Sequence, residues 1–201
     1  MLAPCRLYYR WSVVPVLWLI AVMAGCKVDS VNPISPIDRA QPDTAIYGVW
    51  RYKAGDELSY IHIGPEFALA DAATPGSRRT RIVIVDHKRN GLTDEAYVAY
   101  TSRAGKQGYL NVVQTEGDKT VGYLFVRYTL IDRNTLRFAT MDEEALAAAI
   151  RAGRIKGTTR GEGLSSETAI TAESAEIERF LAAEGAKLFA APVVVRRVPP
   201  R

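Results

Sequence analysis

Two histidines, ten tyrosines and two cysteines are the side chains of this 201-residue chain that invite a chemical reading. His62 and His87 each stand in a short run of β-branched and aromatic residues, where a pair facing across a sheet or barrel could hold a ligand or a metal. Neither belongs to a His-Glu-x-x-His or Cys/His spacing, so a zinc protease or structural zinc site is not expected. Strand parity puts His62 on one face with Leu58 and Tyr60, and His87 with Val83 and Val85; Asp86 faces the other way, which removes an adjacent Asp/His dyad. A serine nucleophile would need an elbow such as Gly-x-Ser-x-Gly, and none occurs; Gly161 to Ser166 reads as a loop. Gly153-Arg154-Ile155-Lys156-Gly157 follows a helix instead of leading into one, so its glycines do not form a phosphate cradle. Tyr97, Tyr100, Tyr109, Tyr123 and Tyr128 fall on successive strand-like runs, and a buried tyrosine needs a partner for its hydroxyl. Such residues either fill a core or line a cavity for an aromatic or amphipathic molecule. The candidate ligand-lining set is Tyr60, His62, His87, Tyr109 and Tyr123; no catalytic residue, metal ligand or cofactor is expected, and a hydrolase is only a remote alternative.

The cysteines carry a different chemistry. Residues 1 to 25 combine Arg6 and Arg10 with the apolar run Val13 to Met23, the layout of a signal peptide. The stretch from Trp11 to Gly25 is shorter than the roughly 20 residues a membrane-spanning helix needs. Removing residues 1 to 25 takes away Arg6 and Arg10 and no acid, so the formal charge falls from +4 to +2 and offers nothing to a nucleic acid. Cys5 leaves with the signal, and Cys26 is then a lone thiol in an oxidising compartment. The run Val22-Met23-Ala24-Gly25-Cys26 resembles the lipobox of bacterial lipoproteins, with Met23 where leucine is usual. That resemblance implies cleavage before Cys26, a diacylglycerol thioether on its sulfur and an acyl chain on its new amine. More than one chain is what makes such an anchor firm. In that family an Asp after the cysteine favours inner-membrane retention; Lys27 stands here, so the implied address is the outer membrane, facing the periplasm.

Residues 26 to 44 supply Cys26 and then Pro33, Pro36 and Pro42 without apolar periodicity, which predicts a flexible tether. Its 18 residues after the cysteine would reach about 55 Å as polyproline and about 25 Å as a relaxed coil. From 45 to 198 a single β-rich domain is expected, with a tail over 199–201. Strands are predicted over Ile46–Tyr52, Leu58–Ile63, Arg81–His87, Ala96–Thr101, Gly108–Thr115, Val121–Ile131 and Thr135–Thr140, because apolar runs alternate with short breaks that tolerate tight turns. Only the connection from Glu66 to Thr80 is long enough for a parallel crossover, so the pairing should be antiparallel. A helix should start at a capping box, Thr140-Met141-Asp142-Glu143, and end at Gly153. A second should begin near Thr171 and stop at Gly185, with a short strand at Thr168–Thr171 between the two and a closing strand at Val193–Val198.

This order predicts a mainly β fold, an antiparallel meander with two short helices forming a full or partial barrel. Gly48-Val49-Trp50 resembles the Gly-x-Trp with which lipocalin-like barrels open. The resemblance implies that Trp50 packs at the closed end against an Arg of the last strand, Arg196 or Arg197. The chain lacks that family's Thr-Asp-Tyr, and the helices interrupt a plain eight-stranded order. The stretch from Met141 to Pro192 also resembles the end of a group of uncharacterised bacterial envelope lipoproteins, which implies no activity. Together these features predict a non-catalytic protein anchored through Cys26 that binds a small apolar or amphipathic ligand. The alternative is a structural or protein-interaction lipoprotein with a filled barrel, meeting an envelope protein through a sheet edge or helix face.

Overall fold

A computed structural model of the protein describes residues 29–55, 57–66, 78–88, 91–160 and 167–199. The expected signal peptide, Cys26, Ser165 and Ser166 and the last two residues lie outside them. Seven strands follow one another along the chain: β1 (Gly48–Ala54), β2 (Glu57–Pro65), β3 (Thr80–Lys88), β4 (Gly91–Ala104), β5 (Gln107–Glu116), β6 (Lys119–Asp132) and β7 (Thr135–Thr140). Then come α1 (Glu143–Arg151), β8 (Gly157–Arg160), β9 (Glu167–Ile170), α2 (Ser174–Glu184) and β10 (Val193–Arg197).

Strands β1 to β7 pair with their chain neighbours, and β10 fits antiparallel between β7 and β1, which closes an eight-stranded barrel. The barrel is lipocalin-like, as the meander pattern predicts. β8 and β9 form a separate two-stranded ribbon. The helices therefore leave the meander intact; they are carried on the connection between the seventh barrel strand and the eighth.

Two apolar cores lie on opposite faces of one wall. Inside the barrel Trp50, Ile61, Ile63, Ile82, Leu110 and Phe138 pack with other inward residues. Outside it, Tyr109, Phe125 and Ala139 on β5 to β7 are covered by Leu146 and Ala149 of α1 and Ile177, Phe180 and Leu181 of α2. Strands buried on both faces lose the alternation that would mark which side is inside.

The cap of α1 differs from the expected box: Asp142, not Thr140, is the N-cap, accepting the Ala145 N–H at 3.0 Å. Thr140 is the last residue of β7, so its backbone belongs to the sheet. Gly153, at φ 67°, ends the helix as predicted. α2 starts at Ser174, three residues later than expected, because Thr171 still donates to the Lys156 carbonyl beside the ribbon.

The largest correction concerns the expected tether. Its described part, from Asp29 on, is fastened to the body. Ser30 exchanges backbone hydrogen bonds with Tyr123, the Val31 N–H donates to the Ile170 carbonyl, and Ile34 is fully buried. Asn111, itself fully buried, accepts the Ile34 N–H at 2.8 Å and donates to Ser102 Oγ, which pairs with Ser35 Oγ. The prolines mark an extended strap, not a free spacer; the Ile34 N–H and the Ser35 hydroxyl find partners that lie 67 or more residues away.

A barrel mouth as the candidate functional site

One end of the barrel is shut. The 3-10 turn Thr44–Ile46 lies across it, with Ile46 fully buried and its carbonyl accepting Trp50 Nε1–H at 2.8 Å. Tyr128 donates to Asp43 at 2.9 Å, Arg103 lies 3.7 Å from the same carboxylate, and Thr101 donates to the Gln41 carbonyl. Arg197 completes the floor. Its guanidinium lies over the Trp50 ring, 4.1 Å from the centroid, and donates to the carbonyls of Ala45, Tyr47 and Arg133. Of the two arginines the Gly-x-Trp resemblance allowed, Arg197 is thus the one against Trp50; Arg196 points outward, next to Thr135.

The other end, where Ala54 pairs with Glu57, Lys88 with Gly91 and Glu116 with Lys119, is where inward side chains become half-exposed. Tyr52, Ile84, Glu95, Tyr97, Gln114 and Val193 form this mouth, above a tightly packed layer that includes Ile61, Val112 and Phe138. Its polar groups come in pairs across neighbouring positions. Ser59 donates to Asp86 Oδ1 at 2.5 Å, and the Tyr97 hydroxyl donates to Glu95. Asp86 is buried, yet among the described residues no cation pairs with it or with Glu95. Burial, then the hydrogen bond and charge of Glu95, then the charge of Asp86 push the Tyr97 phenol far above its ordinary value. Burial and the charge of Glu57 raise Tyr52 in the same sense. The mouth is therefore an apolar rim with fixed acceptors and neutral hydroxyls. It suits a group that donates hydrogen bonds and repels one that is anionic.

The candidate ligand-lining residues do not meet there. Tyr60, His62 and His87 lie on the outside of the barrel, where Tyr60 and His87 form an edge-on pair 5.5 Å apart, Leu58 stands opposite His87 and His62 is exposed. Their strand-mates Ile61, Ile63 and Asp86 take the inward positions. Tyr109 and Tyr123 also leave the interior: they sit under the helices and the strap, Tyr109 against Phe189 and Tyr123 edge-on to Tyr100. Gly185 gives Tyr109 its space, since a Cβ there would lie 2.5 Å from the hydroxyl. Parity correctly grouped these residues by face but not which face was the interior. Among the described residues no cluster of three His, Cys, Asp or Glu is placed to hold a metal ion.

Floor, filled lower core and open mouth define the protein as a lipocalin-like, one-ended antiparallel barrel with a helical cover on one wall. Comparison with protein-family models, with curated proteins and with solved structures finds no match for the chain.

Proposed function

We propose that this is a lipid-anchored protein of the bacterial outer membrane, facing the periplasm, whose barrel mouth holds a small amphipathic ligand without catalysis. The observation that carries the reading is the asymmetry of the barrel interior. One end is sealed by Trp50, Arg197 and the strap, while at the other, apolar and hydroxyl side chains stand half-exposed around two acids. An apolar surface with a few converging polar groups is the usual composition of a small-molecule site. The packed layer below makes the site shallow, so the ligand's apolar part enters only as far as Ile84 and Val193. Its polar part is a neutral or cationic donor that reaches Asp86 and Glu95. Anchoring rests on the lipobox resemblance at Val22–Cys26 and the lone thiol of the mature chain.

The test is a native mass spectrum of the protein purified from envelopes in mild detergent, beside an unanchored form beginning at Lys27. A discrete extra mass on the unanchored form supports the ligand reading; the protein mass alone counts against it. Docking of an acidic envelope protein is a second reading. It is favoured by Arg51 and Arg196, both exposed and directly opposite each other on β1 and β10. Like charges at such a position are destabilising unless something anionic lies over them. Barrel closure leaves no free barrel edge for a partner, so the wall itself would be the contact.

A further inference from the structure

We infer that the anchor holds the barrel directly on the bilayer, with the exposed start of β6 and the adjoining strap against the lipid headgroups and the mouth beside them. This inference rests on lipidation of Cys26 and concerns what the fold then does with it. A lipoprotein on a free tether of 18 residues could turn any face to the membrane. Here the body takes hold of the chain at Asp29, only three residues after Cys26. The Asp29 backbone N–H donates to the Tyr123 carbonyl at 3.0 Å, and its carboxylate accepts the Phe125 N–H at 2.8 Å. Three residues at full extension cover about 10 Å, so the lipid-bearing sulfur cannot be far from this spot on β6.

The surface there is suited to a headgroup layer. Val31 is 53% exposed and Val121 44%, two of the four large apolar side chains exposed to that degree among the described residues. Val121 lies two positions before Tyr123, at the bulge where β6 shifts register against β5, and Val31 is bonded to Ile170 alongside Tyr123. Exposed Lys119 begins the same strand, and exposed Lys156 is bonded through its carbonyl to Thr171, next to Ile170. Valines that enter the interfacial layer, with lysines beside them to meet phosphate, supply what the anchor alone lacks, a fixed orientation. β6 joins β5 through the Glu116–Lys119 turn, which is part of the mouth rim. An amphipathic molecule leaving the bilayer would then reach the mouth without crossing open water.

The experiment uses the full lipidated protein in vesicles of phosphatidylethanolamine and phosphatidylglycerol. A fluorophore is attached at Val31→Cys, Val121→Cys or, as a control on the opposite wall, His62→Cys, with quenchers carried on lipid headgroups. All three positions are exposed and outside the cores, and circular dichroism checks each fold. The labels at 31 and 121 should lose most of their emission and the label at 62 should keep it. Inserting twenty Gly/Ser residues between Val28 and Asp29 should restore emission at 31 and 121. Equal quenching at all three positions, or no response to the insertion, overturns the inference while leaving the anchor in place. Intact mass of the same sample reports the other failure: an unmodified Cys26 removes the anchor and the inference with it.

Discussion

The Arg197 guanidinium occupies the space that a side chain on Gly48 would need: a Cβ built on Gly48 would stand 2.5 Å from Arg197 Nη1. Gly48 also has φ 134°, outside the range that L side chains adopt readily. The glycine of Gly-x-Trp is thus explained by the arginine that covers the tryptophan. Gly48→Ala should cost about 1–3 kcal/mol through backbone strain and displacement of the guanidinium. Trp50→Ala, at a fully buried ring, should cost about 3–5 kcal/mol. Arg197→Lys should not restore the floor, since an ammonium cannot stack flat on the indole while reaching three carbonyls. Urea unfolding of the three variants checks this; wild-type stability of Gly48→Ala would show that the floor does not depend on this packing.

Asn111 is the second point on which the fold depends, because it joins the strap to β4 and β5. Asn111→Ala leaves the buried Ile34 N–H without its acceptor, a loss of about 1–3 kcal/mol. Its effect should be local first. Limited proteolysis should cut the variant between Asp29 and Pro42 under conditions that leave the wild-type strap whole, and equal resistance would show that the strap is held by other contacts.

The sequence made the barrel legible and left the strap hidden, for a physical reason. Each strand of the meander is announced by its own apolar alternation and a turn at its end, which are local signals. β8 at Gly157–Arg160 was not expected, since Gly-Thr-Thr-Arg carries no apolar pattern and forms only by pairing with β9. The strap likewise has no period: Ile34 is buried in the outer core with its N–H on Asn111, while Ser102 and Tyr100 bond Ser35, and nothing near residue 34 says so. The mouth was missed for a related cause. Tyr109 and Tyr123 look like lining residues until the helices, which come later in the chain than either strand, cover the outside of their strands. Asp86 and Glu95 look like solvent-facing acids until closure of the barrel turns them inward.

Alkaline pH should unfold the protein earlier than its charge suggests. Burial is the first cause that raises the phenols of Tyr97, Tyr100, Tyr109 and Tyr128 above 10.0, with neighbouring Glu95, Tyr123 and Asp43 adding to it for Tyr97, Tyr100 and Tyr128 respectively. Below pH 10 these groups are neutral in both states and their contribution is complete. Above it the unfolded chain loses protons that the folded chain keeps, so stability falls as pH rises. Melting temperatures should hold steady through neutral pH and decline beyond pH 10, with tyrosinate absorbance rising together with unfolding. Tyr100→Phe should make the decline shallower; an identical slope would mean that Tyr100 titrates freely in the fold.

Across β1 and β10, Arg51→Thr should stabilise the free protein by about 0.2–1 kcal/mol, because it removes repulsion from Arg196 at the opposing position. The gain should shrink in high salt, which already screens exposed charges. Thermal melts at low and high ionic strength decide it; a gain that salt does not alter would assign the effect to strand propensity instead of charge.

Filling the mouth should abolish ligand retention without unfolding the barrel. Ile84 is half-buried, directly between Ile61 on β2 and Glu95 on β4, so Ile84→Trp puts a large ring across the opening while the floor at Trp50 stays untouched. Overpacking costs about 1–3 kcal/mol where a core is closed, and less here because one side is open. His62→Trp, on the outer wall, is the matched control for size. In native mass spectra the extra mass carried by the wild type should disappear from Ile84→Trp and persist in His62→Trp, with both variants melting cooperatively. Asp86→Asn and Glu95→Gln then separate the acids from the apolar rim: if the ligand is held as a hydrogen-bond donor, each should weaken retention while leaving the shape of the mouth unchanged. Persistence of the mass in Ile84→Trp would move the site away from the mouth, whatever the acids do.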